Sequence, residues 1–165
     1  MKAVQMRVFT LVFLVLLGFM GVSWKYNNET RNVKCMIQLI NYGGEGAYIA
    51  VSLLDSSDTY LETLYVGGFE EEWYPDLPEW YAFYNDDYES IDGITGASIQ
   101  SGGRKITSLS VPTDKLDTGY KLRFETSVED EKYYSKDVEV ELTSENINQT
   151  VEGSGYIRMV KMIAN

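Results

Sequence analysis

The 165-residue chain contains no histidine, a single cysteine and three prolines, and its 14 basic residues are outnumbered by 25 acidic ones. Without histidine there is no Ser–His or Cys–His pair to activate a nucleophile, no histidine-held haem and no ordinary catalytic zinc site. The lone Cys35 excludes a disulfide, a cysteine-ligated iron–sulfur cluster or a cysteine-based zinc site within one chain. It stands among apolar neighbours in the stretch NVKCMIQLINY, which reads as a buried strand thiol rather than a reactive one. The formal net charge of −11 disfavours nucleic-acid binding. Such a surface also repels nucleotides and flavin phosphates unless a local cradle overrides the field.

Acidic residues are also missing from the first 28 positions, where Lys2 and Arg7 precede an apolar run from Val8 to Val22. That is the shape of an export signal. The run is shorter than the roughly 20 residues a helix needs to cross a hydrocarbon core, so residues 1–23 are expected to be a signal peptide, with a retained membrane tether as the alternative. Cleavage after Ser23 would remove two bases and no acid, taking the net charge from −11 to −13. The remaining residues, 24–165, are expected to form a single extracytoplasmic domain, periplasmic or secreted, long enough to bury a core.

Alternating apolar residues predict strands over 33–40, 47–54 and 60–66, and again over 105–111, 120–128, 134–142 and 155–163. About seven strands separated by turn residues predict a mainly β fold, an immunoglobulin-like β-sandwich. Between the two groups lies EEWYPDLPEWYAFYNDDYESIDGITGASIQSGGR. Leu77, Trp80, Tyr81 and Tyr84 are spaced as one face of a short helix opened by Pro78. This aromatic helix is expected to cap an open end of the sandwich, with Trp80 or Tyr81 flanking a planar ligand as the sharper reading. The carboxylates Glu70–Glu72 and Asp86–Asp87 match no calcium loop and read as solvated faces.

Chemistry concentrates in Asp92-Gly93-Ile94-Thr95-Gly96-Ala97-Ser98. Gly96 and Ala97 leave the backbone open to close approach beside the Ser98 hydroxyl, and Gly93 tolerates backbone angles other residues avoid. A serine hydroxyl is a weak nucleophile without a base, so Ser98 suits modification by another enzyme better than self-activated catalysis. The plain alternative is an Asp-Gly turn followed by a loop of small residues.

These residues resemble the acceptor motif of bacterial flavin transferases, Asp-Gly-x-Ser/Thr-Gly-Ala-Thr/Ser, whose last hydroxyl receives FMN from FAD as a phosphoester. The resemblance implies Ser98 as the esterified residue, with Asp92, Gly93, Thr95, Gly96 and Ala97 as the recognition sequence and Thr95 as fallback acceptor. From Gly46 to about Leu142 the order of hairpin, aromatic helix, motif and paired strands is similar to the DUF2271 family of predicted periplasmic proteins. That family's frequent basic residue directly after the motif is absent, since Ile99 and Gln100 stand there. The implication is that any phosphate contact falls to Arg104 or Lys105.

Together these readings anticipate an exported carrier of covalent FMN. It would be a non-enzyme that depends on a flavin transferase and exchanges electrons with a membrane redox protein. The rival is a sandwich that binds carbohydrate or a protein partner through its aromatic segment. A hydrolase using paired carboxylates finds no recognisable spacing.

Overall fold

The structure, a computed structural model, describes residues 29–86 and 90–164. The expected export signal lies outside the described residues, as does Asp87. Nine strands follow in order: β1 (Thr30–Leu39), β2 (Tyr48–Leu54), β3 (Tyr60–Gly67), β4 (Thr95–Gly96), β5 (Arg104–Pro112), β6 (Lys121–Ser127), β7 (Tyr133–Glu141), β8 (Thr150–Glu152) and β9 (Ile157–Ala164). They form two sheets, ordered β5-β1-β9-β8 and β4-β3-β2-β6-β7. The seven longer strands are those the alternation predicts. β4 and β8, of two and three residues, are too short to show a period. All pairings are antiparallel except that of β3 with β4.

The chain moves between sheets by hairpins, β2–β3 and β6–β7 in one and β8–β9 in the other, with β1 central to the four-stranded sheet. Along β1 the period of two turns Val33, Cys35, Ile37 and Leu39 inward. They meet Ile49, Val51, Leu53, Leu122, Phe124 and Val138 from the facing sheet. Cys35 is the expected buried strand thiol, and its burial pushes the thiol pKa up to about 12.

β2 is buried at every position because its second face is covered too. A 3-10 helix (Glu71–Asp76) and the helix α1 (Pro78–Asp86) lie on the outward face of the five-stranded sheet. Tyr74, Leu77, Trp80 and Tyr84 pack there on Tyr48, Ala50 and Val66. The helix has the expected register but does not cap an end of the sandwich. Tyr48, Ala50 and Val66 form an apolar surface on the sheet itself, and covering it removes more apolar area from water than closing a strand end. The indole Nε1 of Trp80 donates to Thr63 Oγ1 on β3 at 3.0 Å. Its backbone N–H donates to Glu125 Oε2 on β6 at 3.3 Å.

Candidate functional site

The Asp92–Ser98 segment forms a turn and then enters the sheet edge. Gly93 takes φ +86°, the conformation its position predicts it must tolerate, and Ile94 N–H donates to Ile91 O at 3.1 Å. Thr95 Oγ1 closes the turn by donating to the same carbonyl at 2.9 Å. Asp92 is exposed, its N–H directed to Ser90 Oγ at 3.4 Å. Thr95 and Gly96 then run parallel to Val66 and Gly67 as edge strand β4.

At this point β3 leaves the sheet, and the motif moves into the lane it vacates. Gly68 N–H still donates to Gly96 O at 2.7 Å. Three residues later, Ile99 pairs with Ala47 through bonds of 2.8 and 3.0 Å. Ala97 and Ser98 lie in the step between these pairings, Ala97 exposed and Ser98 half-buried. The loop before β2 is fastened alongside: Tyr42 N–H donates to Ser101 Oγ at 2.8 Å, and Ser101 Oγ donates to Tyr42 O at 2.7 Å.

Ser98 rests against Gly46 of that loop. Its Oγ lies 2.7 Å from where a Cβ on Gly46 would stand, and Gln100 Nε2 is equally close to that point. Unlike Thr95, the Ser98 hydroxyl makes no hydrogen bond among the described residues. The motif therefore contains one hydroxyl engaged in structure and one free.

Gly96 opens a second space. An ideal Cβ on it would stand 2.7 Å from Tyr65 Oη and 3.0 Å from Lys105 Nζ. Tyr65 is 3% exposed and its hydroxyl has no hydrogen-bond partner. Burial pushes this phenol up to about 12, so it stays protonated. Lys105 belongs to the half-buried, inward set of β5, whereas the neighbouring Arg104 is exposed. Lys105 makes no ion pair among the described residues.

Residues 30–159 match a family described as "Predicted periplasmic protein (DUF2271)". The chain belongs to the DUF2271 family. No curated protein and no solved structure matches it. Among the described residues of this DUF2271 chain, no helix is long and apolar enough to cross a membrane.

The predicted site residues divide in two. Asp92, Gly93, Thr95, Gly96, Ala97 and Ser98 are contiguous at the sheet edge. Trp80 and Tyr81 belong to α1. Trp80 is 0% exposed, stacked on Tyr84 with centroids 5.1 Å apart and met edge-on by Tyr74, also at 5.1 Å. A flavin could reach its ring only by displacing those neighbours, which corrects the expectation that Trp80 flanks a ligand. Tyr81 is half-buried.

The loop that holds Ser98 also carries charge. Glu45 adjoins Gly46, and Glu131 packs 3.9 Å from the Cβ position of Gly44. The Glu129 carboxyl is raised by burial and then by Asp130, Glu45, Asp76 and Glu72. This acidic rim borders a cavity of about 330 Å³ whose lining includes Trp73, Pro75, Asp76, Glu131 and Tyr133. Gly46 and Tyr65 did not emerge from the sequence, because only the fold brings them to the motif.

Proposed function

We propose that the protein is an exported flavin carrier in which Ser98 holds FMN through a phosphoester and the domain relays electrons outside the cytoplasm. The observation that carries this reading is the free, half-buried Ser98 hydroxyl in the step between two strand lanes at a sheet edge. The family's periplasmic description supports the location. The residues present also fit the group, since Gly96 leaves a space bordered by an unpartnered phenol and an unpaired ammonium.

Attachment requires an outside enzyme because no base adjoins Ser98. The flavin transferase removes the hydroxyl proton, Ser98 Oγ bonds to the phosphorus of the FMN half of FAD, and the bond to AMP breaks. Edge strand β4 and exposed Asp92, Gly93 and Ala97 present the segment to that enzyme. Bound FMN supplies one- and two-electron transfer. The chain supplies a tether that does not depend on rebinding a phosphate against net negative charge. Trp73 and Tyr133, at the cavity by the acidic rim, are rings that a planar group tethered nearby could meet. A membrane redox partner docking at this rim would present basic residues.

The test is co-production with a competent flavin transferase. Intact mass should rise by roughly 440 daltons, a yellow absorbance near about 450 nm should survive denaturation, and both should vanish in Ser98→Ala but persist in Thr95→Val. An unmodified Ser98 peptide under those conditions refutes the reading.

A further inference from the structure

The two polar groups around Gly96 have no structural task. A buried phenol without a partner costs roughly 1–3 kcal/mol, and such a group calls for an explanation. Tyr65 Oη is one. Lys105 turns its ammonium toward the inter-sheet edge although no carboxylate meets it there among the described residues. Both groups lie within 3.0 Å of a single point, the Cβ position that Gly96 leaves empty. A neutral phenol and an ammonium are both hydrogen-bond donors, and two donors converging on one space call for an acceptor, preferably an anion. A net charge of −11 makes an unpaired inward lysine still less expected unless something negative is meant to face it.

Gly96 and Ser98 are two residues apart, so in extended chain their side-chain directions fall on the same face. A group esterified to Ser98 therefore leaves the backbone on the side where Gly96 faces Lys105 and Tyr65.

We propose that Lys105 and the Tyr65 hydroxyl form an oxyanion cradle over Gly96 that receives the phosphodiester of the flavin ester on Ser98. The proposal rests on the reading of Ser98 given above and adds the residues that hold the linkage. The ammonium neutralises the phosphodiester charge and the phenol donates to one of its oxygens, so the tether is held against the sheet edge rather than swinging freely. In the unmodified protein the same cradle takes a small oxyanion weakly. Ser98→Ala retains it, because neither donor is touched.

The test compares modified and unmodified full-length protein for wild type, Lys105→Met, Tyr65→Phe and, as a control with the same charge change on the outward neighbour, Arg104→Met. Modification should stabilise wild type. The gain should shrink by roughly 2–8 °C in Lys105→Met and in Tyr65→Phe, and be unchanged in Arg104→Met. Unmodified Tyr65→Phe should melt no lower than wild type, since it removes only an orphaned hydroxyl. The phosphorus NMR line of the modified protein should move in the Lys105 and Tyr65 variants and stay fixed in the Arg104 variant. If the cradle variants melt and resonate like the Arg104 control, the proposal is overturned although Ser98 carries flavin.

A separate arm uses unmodified Ser98→Ala protein in inorganic phosphate and in chloride at matched ionic strength. Phosphate should raise the melting temperature only where Lys105 and Tyr65 are intact. Loss of that difference refutes the cradle, whereas absence of any adduct on wild type refutes the flavin reading while leaving this arm to decide the cradle.

Discussion

At the scale of single residues, two threonine- or serine-type hydroxyls in one seven-residue motif have been given different tasks. Thr95 spends its hydroxyl on the Ile91 carbonyl and holds the turn, while Ser98 is kept free by the lack of a side chain at Gly46. That second point is testable. Gly46 has an ordinary backbone conformation, so Gly46→Ala introduces crowding without backbone strain. The new methyl would stand 2.7 Å from both Ser98 Oγ and Gln100 Nε2, and each is the tip of a rotatable side chain that can turn away. The expected outcome is a loss of stability on the order of 1 kcal/mol in urea, with a much larger fall in the fraction carrying flavin after co-production, read by intact mass. A variant modified as fast and as fully as wild type would show that the Ser98 rotamer held against Gly46 is irrelevant to transfer.

At the scale of elements, strand positions and the register of α1 were legible because both rest on local periodicity: Val33, Cys35 and Ile37 alternate, and Leu77, Trp80 and Tyr84 share a helical face. Where α1 docks was not legible, since a helical pattern shows that a face is apolar but not what it meets. The clue was in β2, whose YIAVSLL lacks polar alternation and so implies cover on both sides. The motif could be read because it is contiguous, whereas Gly46, Tyr65 and Lys105 reach it only through tertiary folding. The docking of α1 turns on Glu125, a fully buried carboxylate that accepts from Tyr60, Tyr133 and the Trp80 N–H. Burial raises its pKa above the usual 4.5, against the lowering effect of the two phenols. A raised carboxyl contributes its full stability below 4.5 and loses it as pH climbs through the folded value. Glu125→Gln cannot titrate and mispairs one phenol, so it should cost roughly 1–3 kcal/mol in acid. That cost should diminish as pH rises through the raised value and level off above it. Urea titrations at several pH values measure this, and a pH-independent cost would mean Glu125 does not titrate in the folded state as argued.

At the scale of the whole molecule, the excess of acid is unevenly distributed, and the distribution bears on how the Ser98 end meets other proteins. On the bare outer face of the four-stranded sheet, Lys34 and Lys161 stand among Met36, Ile106 and Ile163. Around the loop that holds Ser98, Glu129 faces Asp130, Glu45, Asp76 and Glu72. Burial first, and then these like charges, raise the Glu129 carboxyl above 4.5, so its contribution is present in acid and is lost as pH rises through the folded value. At neutral pH the ionised group is a net burden on the fold. Glu129→Gln should accordingly melt higher than wild type at pH 7 and low ionic strength. The advantage should fade below pH 4.5, where both forms are neutral at this position, and also in high salt, as the screening length contracts from about 8 Å at 0.15 M to about 3 Å at 1 M. Calorimetry across that grid separates the two causes, because the part due to burial survives salt and the part due to the rim does not. A gain wholly indifferent to salt would mean that the rim exerts no field at Glu129, and with it would go the ground for expecting a basic partner at the Ser98 end.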